Sequence, residues 1–590
     1  MDRPHGPEAM GVLSAPAPQP HRFNLGTHTW TVTTASDEAQ AAFNQGLNWM
    51  YAFNHDEAIR NFEHAASLDP RCAMAWWGVA ICHGPHINNP VMDEARSHAA
   101  WNALERARAL LDICTPVEQA LIDALATRYA DPAMGNFPLS GPERSRFDAA
   151  YANAMREVRG RFVQHEEVAT LTAEAIMDLR PWDLYSLDGE PRPETPEVIA
   201  LLEFVLRTNP EHPGANHLYI HAVEASRSPE RADNAATRLR NLVPDSGHMV
   251  HMPAHIDVRL GRWNLAADQN AIAERVHANY LKHAPPPGSY RPYMFHNTHF
   301  RAYACMMAGR KSEAIAAARE VLTSIPEEFY RSAGAIADGY TPIELEALIR
   351  FGEWERLLAM PEPRRELPIT RAIWRFGRGV ALAARGEVTL ARREQRTFRA
   401  TVDAVPANAM MVINRADTVL RIADHMLEGE ILYREGDVNG AVASLKQAVA
   451  IEDTLAYMEP PDWVQPVRHA LGAILLEAGR VEEAASVFRE DLQRWPENGW
   501  ALHGLASALA KLGQMDESRR VMERHAKAFE RSEVKLAASC ACVKPATKKA
   551  EAATSKLLTR GSDACSGDLD RGPANGVRGG VASSALSSVE

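Results

Sequence analysis

The chain has 590 residues, 46% hydrophobic and 24% charged, with a formal net charge of −12. That length exceeds one ordinary domain, and the polarity is too even for a disordered chain. The acidic balance argues against a nucleic-acid partner, which favours a basic excess.

Alanine-rich stretches recur and alternating Val/Ile/Thr runs are scarce, so an all-α fold is expected. No apolar run reaches about 18 residues, which predicts no transmembrane helix and no membrane partner. The first 20 residues lack a basic region followed by a long apolar core, so no secretory leader is expected. Seven cysteines without a CxxC pair fit a reducing compartment, and the expected location is cytoplasmic.

Residues 1–36 read as a partly disordered N-terminal extension. A repeating frame then begins. Gly46, Ala58, Phe62, Ala65 and Pro70 occupy positions 8, 20, 24, 27 and 32 of a unit starting at Ala39. Small residues at 8 and 20 let two antiparallel helices approach, Phe at 24 fills the space between units, and Pro at 32 ends the second helix. A period of about 34 residues with this pattern is that of the tetratricopeptide repeat (TPR).

The frame recurs at Ala73, Pro213, Gly247 and Phe295, and later near Ala372, Ile422, Gln465 and Gly499. Clear repeats are therefore expected over 39–106, 213–330, 372–405 and 422–530, with degenerate helices over 107–212. Together they make a superhelical solenoid of antiparallel helix pairs over 37–530, with room to curl into a closed turn. Insertions interrupt it at 281–294 and 457–463, and insertions often project over a binding face. Residues 531–590, rich in Ala, Ser, Lys and Gly, read as a disordered tail.

Of 23 histidines, ten lie between His212 and His299. Positions 2, 5, 9 and 12 of the first helix in a TPR unit face the concave groove. His217, His221 and Glu224 take positions 5, 9 and 12 of the Pro213 unit. His248, His251 and His255 take positions 2, 5 and 9 of the next, and His296 and His299 take 2 and 5 of the third. First helices of neighbouring repeats lie about 8–10 Å apart, so these side chains can share one space.

Neutral imidazole is a common ligand of Zn, Cu, Fe and Ni, and a neighbouring carboxylate can be a ligand, an orienter or a general base. The stripe predicts a transition-metal site in which these seven histidines supply ligands or their supports and Glu224 is the candidate catalytic carboxylate. Fe or Cu is favoured over Zn or Mn, and redox chemistry on a small metabolite over hydrolysis or elimination. Two other readings stay open: a His-lined groove that binds an acidic peptide or senses pH, and histidines hydrogen-bonded for structure alone. Weaker groove or rim candidates are Tyr219, Tyr293, His83, His86, Glu459 and His469. No GxSxG, P-loop, GxGxxG or HExxH motif occurs, so no nucleotide cofactor is indicated.

The strings NHLYIHAVEAS, PDSGHMVHMPAHIDVRLGRW, YMFHNTHF and YMEPPDWVQPVRHALGAILL resemble a family of bacterial TPR proteins with a His-rich groove. The resemblance covers most of residues 40–525. It implies a cytosolic-type solenoid with a His-lined groove and no particular reaction. The leading functional expectation is a metal-dependent enzyme. The alternative is a scaffold that takes a peptide or partner protein in the groove.

Overall fold

The structure is a computed structural model and describes residues 20–131, 141–284, 288–541 and 543. Among these residues there is no strand, and helices follow one another in antiparallel pairs. The fold is an all-α helical repeat. Representative pairs are Asp37–Tyr51 with His55–Leu68, Pro213–Val223 with Asp233–Leu242, Arg291–Met307 with Lys311–Ser324, and Gly499–Lys511 with Met515–Ala528.

The repeat pattern acts through close packing. Phe62 is fully buried and touches both Gly46 and Gly78, where an added Cβ would lie 2.7 Å from its ring. Phe488 does the same between Gly472 and Gly504 near the other end of the solenoid. Side-chain caps set helix starts: Ser36 accepts from Ala39 N, Asn54 from Glu57 N, and Asn498 from Ala501 N. Gly261 and Gly309 turn between paired helices at φ 74 and 73, a conformation that favours glycine.

The solenoid returns on itself. Trp263 Nε1 donates to Pro496 O at 2.9 Å, and Trp500 Nε1 donates to Met306 O at 3.0 Å. Gln465 Nε2 donates to Glu346 O at 3.0 Å. These bonds join units far apart in sequence and bring the 457–463 insertion beside the 213–307 helices.

The two chain ends depart in part from expectation. Residues 20–36 carry buried Phe23, Leu25, Trp30 and Val32, and Thr33 is held by both oxygens of Glu118. Residues 531–541 are likewise packed, so the tail expected from Arg531 starts too early. Glu533 accepts from Ser312 N at 3.0 Å, and Ser539 and Val543 are buried. Apolar contacts and these bonds offset the ordering entropy that composition alone would leave uncompensated. The compact unit ends at Val543. The rest of the expected tail and residues 1–19 lie outside the described residues.

Candidate metal centre

The helix Pro213–Val223 starts with Pro213 in its first turn and presents His217 and His221 one turn apart. The following first helix is split at Pro253, which has no N–H to donate: Gly247–His251 carries His248 and His251, and Pro253–Arg259 carries His255. Arg291–Met307 carries His296. The three repeats converge these side chains into two groups, His217/His221/His248 and His251/His255/His296. Within each group one ligand atom per residue lies within 4.8 Å of the others.

The Nδ1 atoms fix which nitrogen carries the proton. His217 Nδ1 donates to the Tyr51 carbonyl at 2.6 Å. His251 Nδ1 lies 2.7 Å from Asn270 Oδ1, and the Asn270 amide nitrogen is spent on Ala266 O at 2.8 Å, so His251 is the donor. His221 Nδ1 donates to Glu224 Oε1 at 2.9 Å. His255 Nδ1 stands 2.7 Å from Glu224 Oε2, off the axis of a straight hydrogen bond. For His217 and His251, which burial pushes well below the usual histidine range, the lone pair then sits on Nε2.

Each of those two Nε2 atoms meets a neighbouring ring nitrogen. His217 and His248 are 3.1 Å apart at Nε2, His251 and His255 are 2.9 Å apart, and His251 and His296 are 3.1 Å apart. His221 Nε2 is buried without a partner. Burial, reinforced by the neighbouring imidazoles, pushes His217, His248, His251 and His296 well below the usual histidine range. They are neutral at pH 7. Ring nitrogens 2.9–3.1 Å apart are joined either by an N–H···N hydrogen bond, which uses one ring's Nε2 proton, or by a metal ion held between them. Two nitrogens each about 2.0–2.1 Å from one ion, at tetrahedral to octahedral angles, stand about 2.9–3.4 Å apart.

Glu224 lies behind the rings and joins the two groups, one oxygen on His221 and the other on His255. Burial works to raise its carboxyl, but His255 and His221 overcome it and hold it at about 2. Glu459 enters from the 457–463 insertion, is fully buried, and has Oε2 3.4 Å from His255 Nδ1. The Tyr457 hydroxyl donates to its other oxygen. Burial first, then the Glu224 charge, pushes the Glu459 carboxyl well above the usual range. Glu224, His255 and Glu459 form a third group with ligand-like spacing.

A cavity of about 2080 Å³ opens onto this centre, with His86, His221, His248, His255, Tyr293 and His296 in its wall. Phe53 fills the space between His86 and His217. Tyr293 packs edge-on to His248, their ring centres 4.6 Å apart.

Other expected site residues lie elsewhere. His299 faces Tyr340, and burial lowers it to about 4. Tyr219 points away to Glu203, which accepts from its hydroxyl at 2.7 Å. His469 sits between Asp491 and Arg350, at 2.9 and 2.8 Å. His83 ends its helix half-buried and is not in the cavity wall.

Two residues that sequence reading missed hold the centre in place. Asn270 occupies position 24 of its unit, where Phe62 and Phe488 stand in theirs, and a polar residue at that packing position was the available clue. Tyr51 supplies the carbonyl behind His217, and its hydroxyl donates to Glu167. A further trio, His28/Glu167/His212, has ligand-like spacing but a different chemistry. His212 Nδ1 accepts from Ala215 N at 3.1 Å as a helix cap, so its proton is on Nε2, facing Glu167 at 3.3 Å. This trio is a hydrogen-bonded buried carboxylate rather than a set of converging lone pairs.

Residues 475–539 match the tetratricopeptide repeat family. No curated protein matches the chain. Among solved structures, the human IFIT1 dimer with m7Gppp-AAAA is similar at 12% identity and a TM-score of 0.33, covering 84% of this chain and 95% of that one. Yeast Tom70 is similar at 12% identity and 0.32, covering 83% and 99%. Cut9 of the APC/C Cut9–Hcn1 hetero-tetramer is similar at 10% identity and 0.29, covering 84% and 76%. No helix of the described residues is long and apolar enough to cross a membrane.

Proposed function

We propose that this helical-repeat protein binds a transition metal at the His217–His296 centre and uses it on a ligand held in the adjoining cavity. One observation carries the reading: His217, His221 and His251 are buried with Nδ1 held on a carbonyl, a carboxylate and an amide oxygen, and the Nε2 atoms of His217 and His251 each lie 2.9–3.1 Å from a neighbouring imidazole nitrogen. A ligand histidine backed by a carbonyl, carboxylate or amide is the usual support of a protein metal site. The imidazole donor set suits Fe, Cu or Zn, with Fe or Cu favoured. When bound, the ion would supply Lewis-acid or redox chemistry to a molecule in the cavity. The chain's own part is to hold neutral imidazoles in place, to keep Glu224 ionised behind them, and to exclude bulk water from the rings.

The reaction favoured is a redox one on a small metabolite, and metal-assisted hydrolysis or elimination is the lesser option. The test is calorimetric titration of the purified chain with Cu(II), Zn(II) and, without oxygen, Fe(II). The reading expects tight binding that His251→Ala weakens at least tenfold. Unchanged binding in that variant would overturn it.

A second reading, a partner-binding scaffold, is favoured by the cavity volume. About 2080 Å³ exceeds the roughly 300–1,000 Å³ usual for small-molecule sites and would admit a peptide segment. The tetratricopeptide match supports the same reading. Under it, ligand uptake by the cavity would survive chelation and be lost on substitution of Tyr293.

A further inference from the structure

We propose that the centre holds two metal ions, one on His217/His221/His248 and one on His251/His255/His296, coupled through Glu224. The inference rests on the metal-binding reading above and goes beyond it in number and arrangement.

Six histidines exceed what one ion takes with room left for a ligand, since open sites use about three protein donors. The six divide by geometry into two sets of three, not into one set of six. Each set has its own anchors. The first is fixed by the Tyr51 carbonyl and Glu224 Oε1, the second by Asn270 and Glu224 Oε2. Each contains a close Nε2 pair, 3.1 Å in the first and 2.9 Å in the second. The bridging pairs run His221–Glu224–His255, so one buried carboxylate faces an Nδ1 atom in each set. Loading either set makes the ring of that set a stronger partner for Glu224 and so alters what the carboxylate offers the other set.

Three-donor sets leave coordination positions open. His221, His248, His255 and His296 all stand in the cavity wall, so both sets border the space where a ligand would lie. Two ions bordering one space suit a ligand with two oxygen or nitrogen donors, or dioxygen chemistry in which electrons come from both ions.

The test is titration of the metal-free full chain with Co(II), followed by its visible absorption, and elemental analysis after removal of unbound ion. The proposal expects two equivalents per chain. His217→Ala and His296→Ala are each expected to retain one, and the double variant none. His248→Gln is a second probe of the first set should His217→Ala lose its helical circular dichroism. One equivalent in the wild type, or loss of all binding in each folded single variant, would overturn the two-ion proposal while leaving the metal-binding reading intact. No equivalent at all would overturn both.

Discussion

His217 Nε2 and His248 Nε2 stand 3.1 Å apart although 31 residues separate them in the chain. The contact exists because equivalent first helices of neighbouring repeats lie side by side, so a position near the start of one unit meets a position one turn later in the unit before. With the His217 proton committed to the Tyr51 carbonyl, the pair presents a lone pair to whatever lies between the two rings.

Asn270 touches no ligand nitrogen, yet it sets the tautomer of His251. Asn270→Leu is expected to weaken metal binding at the His251 set by about 10–100-fold while leaving the His217 set unchanged. Calorimetric titration of the variant would show one transition displaced and one retained. Equal weakening of both would place Asn270 in the general packing instead.

Metal should stabilise the fold, because a set of converging imidazoles exists only in the folded chain. At a hundredfold excess over the dissociation constant, one site adds about 2.7 kcal/mol. Thermal unfolding in EDTA is expected several degrees below that with added Zn(II), and His251→Ala should shrink the difference.

Glu346 gives a pH dependence remote from the histidines. It is buried, and desolvation, helped by the Asp462 charge, pushes its carboxyl up to about 8 from 4.5. The folded chain therefore keeps a proton that the unfolded chain releases above about pH 4.5. Stability from this group is full below that pH and is lost as pH rises towards 8, by an amount on the order of a few kcal/mol. Glu346→Gln should flatten this fall when denaturant unfolding is measured at pH 5 and pH 8.

The repeat packing makes a sharper demand. A Cβ at Gly78 would sit 2.7 Å from the Phe62 ring, which already touches Gly46. Gly78→Ala is expected to destabilise the chain by about 1–3 kcal/mol through overpacking. Paired with Phe62→Leu, which frees that space, the glycine substitution should cost less than it does alone. Denaturant midpoints of the two single variants and the double variant would show it.

Much of this architecture was legible from spacing. Phe62 and Phe488 at position 24, and small residues at 8 and 20, mark the helix pairs because close packing tolerates few alternatives there. The same frame set seven histidines on one inner face, and the structure brings six of them together. His299 and Tyr219 escaped it, because frame position gives the side of a helix but not the rotamer or the neighbour that captures the side chain, Tyr340 in one case and Glu203 in the other. Glu459 joins His255 through a superhelical closure of more than 200 residues, which local periodicity cannot encode. The packing of Ser532 and Glu533 against Gly309 and Ser312 was hidden for a related reason, since composition reports average polarity and not the few bonds that hold a segment.

In the proposed centre imidazole nitrogens, and not the scattered cysteines or an acidic cluster, would hold the metal. X-ray absorption at the metal edge of the loaded full chain tests it most directly. A nearest shell dominated by nitrogen at about 2.0–2.1 Å is expected, with the outer scattering of about three imidazoles per ion. A sulfur shell near 2.3 Å, a shell of oxygen without imidazole scattering, or no stoichiometric metal to measure would contradict it.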